Sequence, residues 1–304
     1  MSDLRQGVAD YLAIRRALGF QLRGYDRLLG DLVDELRAAE ASTLTTELAV
    51  AWATRPAGAQ PFRWKTRLSV ARGFARYLQT IDPAAQVPPS NLLAYRRARP
   101  APYLYSAAEI DALLDATDTL TPALRAATYR TLLGLLAVTG MRVGEAIALD
   151  RDDVDLRERR LAIREAKHAA RQLPLHPSTA NALHAYARRR DQLCPAPKAR
   201  GFFLSTAGTS LIYECVRETF IKLRRTAGLE QAARPSPRIH DLRHRFAVQT
   251  LLDWHRAGDD VAARLPLLSA WLGHRHPAST YYYLQAAPEL LALAAQRLPD
   301  LGAR

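Results

Sequence analysis

The sequence predicts a mainly α-helical protein of two domains, the second of which carries a small antiparallel sheet. Three observations predict it. Apolar residues recur at helical spacing over most of the 304 residues. A stretch from Asp153 to His176 switches to a period of two. A basic segment with four prolines breaks the helical pattern near residues 87–104.

The first domain spans residues 1–86. Leu12, Ile14, Leu18 and Phe20 form one apolar stripe, and Leu28, Leu29, Leu32, Val33 and Leu36 a second. Thr43 to Thr54 makes a short third helix. A fourth begins near Pro61 and runs through Phe62, Leu68, Val70, Phe74, Tyr77 and Leu78. Arg63, Lys65, Arg67, Arg72 and Arg76 give this helix a basic face. Between residues 60 and 100 Asp82 is the single acidic residue. A solvated helix face ordinarily mixes signs, so a one-sign run beside Trp64 and Tyr77 reads as a surface that tracks phosphates. The linker over 87–104 follows. Its prolines forbid a continuous helix, and Arg96, Arg97 and Arg99 suit a nucleic-acid backbone.

The second domain covers 105–304. Ser106 and Glu109 have the spacing of a capping box, and Ile110, Leu113 and Leu114 supply the apolar face behind it. Pro122 suits the first turn of the next helix, and Gly140 its end. Val154-Leu156, Leu161-Ile163 and Leu173-Leu175 alternate as three strands. Helices resume over Ser178–Tyr186, Ser210–Leu223 and from His240 onward.

Charge narrows the function. Lys and Arg number 43 against 30 Asp and Glu, a net charge of +13. Such an excess favours polyanions, because neutralised phosphates release condensed counterions. The two cysteines, Cys194 and Cys215, lack metal-ligand spacing and read as reduced thiols. No apolar run reaches the roughly 18–20 residues that span a bilayer. The first twenty residues, interrupted by Asp3 and Asp10, lack the apolar stretch of a signal peptide. The expectation is a cytoplasmic protein that meets the nucleoid, with no membrane partner.

The chemistry-bearing residues lie far apart in sequence. Thr139-Gly140-Met141-Arg142-Val143-Gly144-Glu145 places an arginine between a helix stop and a helix start. His240-Asp-Leu-Arg243-His244 puts His and Arg on one helical face at i and i+3. Leu272-Gly273-His274 follows, and then Tyr281, Tyr282 and Tyr283. Each piece alone fits a surface pair or core packing. In this order they resemble the catalytic domain of the tyrosine recombinases, the lambda-integrase-like or phage integrase family. The resemblance covers about residues 105–295, with 1–82 similar to that family's helical, SAM-like core-binding domain. The Ser279–Leu284 segment is similar to that of transposon-encoded members.

The residue types suit such chemistry. Two guanidiniums, Arg142 and Arg243, can clamp the non-bridging oxygens of a phosphodiester as charge grows in the transition state. A tyrosine can attack phosphorus and hold the bond energy covalently, so rejoining needs no ATP, cofactor or metal. His240 is the candidate base for the phenol and His274 a hydrogen-bond partner of the phosphate. The resemblance implies that Tyr283, nine residues after His274, is the nucleophile, with Tyr282 the runner-up. It implies a 3′-phosphotyrosyl link, and Lys167 as the acid for the leaving 5′-oxygen. It also implies double-stranded DNA as substrate and a homo- or hetero-tetramer on it. The apolar tail Pro288–Leu298 would then dock on a neighbouring copy. The rivals are a type IB topoisomerase or telomere resolvase, which shares the chemistry, and a non-catalytic DNA-binding regulator, which needs no nucleophile. Histidines 240, 244, 274 and 276 could in principle hold a metal, but Arg243 would set a cation beside it.

Overall fold

The computed structural model describes residues 4–93, 102–164, 170–230, 236–276 and 278–286. The chain divides into two compact units, 1–99 and 100–304.

Four helices build the first unit: α1 (Leu4–Ala17), α2 (Tyr25–Ala38), α3 (Thr46–Thr54) and α4 (Pro61–Leu78). Helix α3 starts later than the sequence suggests, because the Thr45 side chain accepts the Leu48 amide and caps it there. The core gathers Leu29, Leu32, Leu36, Trp52, Leu68 and Phe74, each almost wholly buried. Val87 and Leu93 pack on this core, and Arg72 donates to the carbonyls of Pro88 and Pro89. The first part of the expected linker is therefore bound to the first unit. Arg96, Arg97 and Arg99 lie outside the described residues.

The second unit is organised around α6 (Ala123–Thr139), whose Leu132, Leu133, Leu135 and Leu136 are buried on successive sides. A helix apolar all round belongs in a core. Helix α5 (Ala107–Ala116) opens with the Ser106–Glu109 capping box. Pro122 stands at the N-cap of α6 rather than within its first turn, and Gly140 ends the helix at φ 61°. Next come α7 (Val143–Ile147) and three strands, β1 (Val154–Asp155), β2 (Arg160–Ile163) and β3 (Arg171–Pro174). They form an antiparallel sheet in that order, pairing Val154 with Leu161 and Ile163 with Arg171. Helices α8 (Pro177–Leu193), α9 (Tyr213–Thr226), α10 (Asp241–Arg256), α11 (Val261–Leu272) and α12 (Ala278–Ala286) complete it. Among the described residues no helix is long and apolar enough to cross a membrane. The tail Pro288–Leu298 lies outside the described residues.

Candidate active site

Two tight turns bring the site together. Gly140 adopts the left-handed conformation against Phe246 of α10, and a Cβ there would fall 2.4 Å from that ring. Phe246 stacks on Trp271, whose indole donates to the Thr139 carbonyl at 2.8 Å. This apolar wedge sets Arg142, the residue before α7, beside the end of α11. Gly273 then closes α11 at φ 64°, turning its last carbonyls towards the arginines.

The two sequence-predicted arginines converge there. Arg142 donates to the Leu272 carbonyl at 3.3 Å and to Gly273 at 3.1 Å. Arg243, 3% exposed, donates to Gly140 at 2.7 Å and to Leu272 at 2.7 Å. Carbonyl anchors orient a guanidinium without cancelling its charge. Burial pulls Arg243 down to about 10, which still leaves it a cation at neutral pH.

Tyr283 meets them. It is 3% exposed, whereas Tyr281 is 52% exposed, and the Arg243 guanidinium lies close enough to act on its hydroxyl. Burial raises its pKa, while Arg243 and Arg142 work in the opposite direction. In the DNA-free chain it is therefore a neutral phenol. Tyr282 is half-buried, 6.1 Å from the His244 ring centroid. The helical step of about 100° turns the three rings to different sides, and Tyr283 is the most deeply buried of them.

His274 stacks on Tyr283 with ring centroids 6.0 Å apart, and its Nδ1 is 2.8 Å from the buried Thr280 hydroxyl. His240 stands at the N-terminal boundary of α10 without a side-chain cap bond, its ring edge-on to His244 at 4.9 Å. Crowding by protein atoms, then the neighbouring His244 and Arg243, pushes His240 down to about 4. It is neutral at pH 7 and able to accept a proton. Lys167 lies outside the described residues. Among those described, no group of His, Cys, Asp or Glu is arranged to hold a metal.

The sequence reading took Glu145 only as a pairing partner of Arg142 and passed over Arg171. Glu145 accepts from the Arg142 amide at 2.9 Å and its guanidinium at 2.8 Å. It also accepts two bonds from Arg171, at 3.1 and 2.8 Å. Burial opposes its ionisation, but these donors win and hold it down to about 2. A signal for Arg171 was present. It shares the inward face of β3 with Leu173, and an inward arginine needs a carboxylate.

The basic face of α4 needs correction. At about 100° per residue, Lys65, Arg72 and Arg76 share one side, while Arg63 and Arg67 lie on the opposite one. Arg67 turns inward, donating to Asp31 at 2.8 Å and lying 3.9 Å above the Trp52 ring. Arg72 is spent on Pro88 and Pro89. Arg63, Lys65 and Arg76 are exposed.

The phage integrase family model matches residues 104–289, which include every residue of this site. The protein y4rB of Sinorhizobium fredii, named as an integrase/recombinase, is 44% identical over 306 residues, 98% of each chain. The chain belongs to the phage integrase family. It is a tyrosine recombinase of the lambda-integrase type, an enzyme of site-specific DNA recombination. Tyrosine recombinase XerC of Mycobacterium bovis is 31% identical, over 93% of this chain and 91% of its own length. The fold matches the Tn1549 transposon integrase solved with transposon right-end DNA. The TM-score is 0.66 at 17% identity, over 97% of this chain and 99% of that one.

Proposed function

We propose that this tyrosine recombinase cuts and rejoins double-stranded DNA through a covalent bond on Tyr283. The burial of Tyr283 beside Arg243, with Tyr281 exposed and Tyr282 half-buried, carries the reading. A phosphate entering the site takes the remaining N–H donors of Arg142 and Arg243, which face charge as it builds on the non-bridging oxygens. His240 accepts the phenolic proton, and the Tyr283 oxygen attacks phosphorus. The bond to the 5′-oxygen breaks, leaving a 3′-phosphotyrosyl link. Lys167 supplies the proton to the leaving oxygen, and the reverse sequence rejoins the strand. His274, fixed by Thr280, steadies the phosphate.

Lys65 and Arg76, with Arg63 and the linker arginines 96, 97 and 99, contact the DNA backbone. The active form is a tetramer on DNA, like other strand-exchanging assemblies of two sites, and the tail after residue 287 links its copies. The protein works on DNA in the cytoplasm.

The test is a random-sequence pool of nicked suicide duplexes from which the short fragment bearing the free 5′-hydroxyl diffuses away after cleavage. Wild type should leave a denaturant-resistant protein–DNA adduct. Tyr283→Phe should form none, and Tyr282→Phe should still form it. An adduct that persists in Tyr283→Phe and vanishes in Tyr282→Phe overturns the assignment.

A further inference from the structure

Arg171 opens β3, twenty-six residues from Glu145 and one hundred from Trp271. Its guanidinium nevertheless joins both. Nη1 and Nη2 grip the two oxygens of Glu145, and Nε donates to the Trp271 carbonyl at 2.7 Å. Its side chain is 10% exposed. Gly273 leans directly on it, for a Cβ at that residue would stand 2.6 Å from Nη1. Arg142 shares the same carboxylate and also donates to the carbonyls of Leu272 and Gly273.

We propose that Arg171 is a positioning residue for strand cleavage: by sharing Glu145 with Arg142 and bracing the Trp271–Gly273 turn, it aims Arg142 and His274 without touching DNA. The inference rests on the Tyr283 reading above.

Stability alone is a weak reason for this cluster. Buried ion pairs often do no better than well-packed apolar residues of the same size, because desolvation offsets their attraction. Their distinctive property is fixed geometry. A guanidinium has a planar fork, so the two Nη atoms and Nε can meet a carboxylate and a carbonyl in one orientation. The fork ties together three segments: α7 with the preceding Arg142, strand β3, and the turn leading to His274. Charge points the same way. Glu145 divided between two arginines draws less strongly on Arg142 than it would alone. Without Arg171 the carboxylate turns wholly to Arg142 and competes with the phosphate for it. The effect thus passes through Glu145, a route that a merely structural cation would not take.

The test uses the full chain and nicked duplexes that wild type has selected from the random pool. Arg171→Lys keeps the charge and loses the fork; Arg171→Gln loses both. Melting temperature and DNA affinity are measured beside the rate of adduct formation at saturating DNA. Both variants should bind DNA within about 2-fold of wild type and form adduct about 100-fold more slowly, the scale of a 1 Å misplacement at a reacting centre. The pairing is decided by Glu145→Gln. Arg171→Gln with Glu145→Gln should be no slower than the slower single variant, because the two act as one unit. If Arg171→Gln does not fold, Arg171→Lys and Glu145→Gln carry the comparison. An adduct rate for Arg171→Lys within about 3-fold of wild type overturns the inference, as do losses that multiply in the double variant. Absence of adduct with wild type refutes the Tyr283 chemistry itself, and this inference falls with it.

Discussion

Replacing Glu145 with Gln removes the carboxylate that Arg142 and Arg171 share, and its cost can be worked from the pKa. The fold holds Glu145 at about 2 against an ordinary 4.5. At about 1.4 kcal/mol for each pH unit, that difference corresponds to about 3 kcal/mol of folding stability. The folded pKa is the lower one, so the contribution is complete above about pH 4.5 and disappears as pH falls through about 2. The glutamine variant leaves two guanidiniums facing a neutral amide, which places it in the range of about 3–5 kcal/mol known for broken buried pairs. Urea unfolding, fitted with one transition for each unit, measures the deficit in the second unit at a series of pH values. It should be about 3 kcal/mol or more at pH 7, unchanged at pH 5, and nearly gone by pH 2. A deficit below 1 kcal/mol at pH 7, or one that stays constant down to pH 2, refutes the reasoning.

The remaining predictions concern other parts of the molecule. His240 should titrate in the free protein well below 6.5, so that its neutral form prevails at pH 7; a proton NMR midpoint at or above 6.5 contradicts this. Gly273→Ala should destabilise the second unit by about 1–2 kcal/mol from the left-handed backbone alone, with more from the contact on Arg171, and an unchanged melting temperature would count against it. Lys65→Ala with Arg76→Ala should weaken DNA binding and reduce the slope of log affinity against log salt by about 2, roughly one for each lost phosphate contact. Arg67→Ala should leave that slope alone and instead lower the stability of the first unit, because its guanidinium is engaged with Asp31 and Trp52. Filter binding across a salt series separates the two outcomes.

Much of this was legible before any fold was known. The His240–Arg243 pair lies within one helical turn, and the Leu272-Gly273-His274 stop is local too. Their geometry follows from the helical repeat and from the need for glycine at a positive φ. The period of two between Asp153 and His176 placed all three strands, because neighbouring side chains in a strand face opposite ways. The basic face of α4 was legible only in part. Charge was counted along the sequence, whereas direction depends on the angle round the helix, and that angle sends Arg67 to Asp31 and Trp52.

By itself the sequence determined the kind of protein, the helical frame and the residue types that handle a phosphate. The tertiary structure alone decided that Tyr283, already singled out by its spacing from His274, packs beside Arg243, and that Glu145 and Arg171 belong to the same cluster. The physical reason is separation along the chain. Arg142, Arg171 and Leu272 belong to elements that no local rule connects. They meet because Phe246 and Trp271 wedge against the Thr139–Gly140 corner, and that packing exists only once the core has formed.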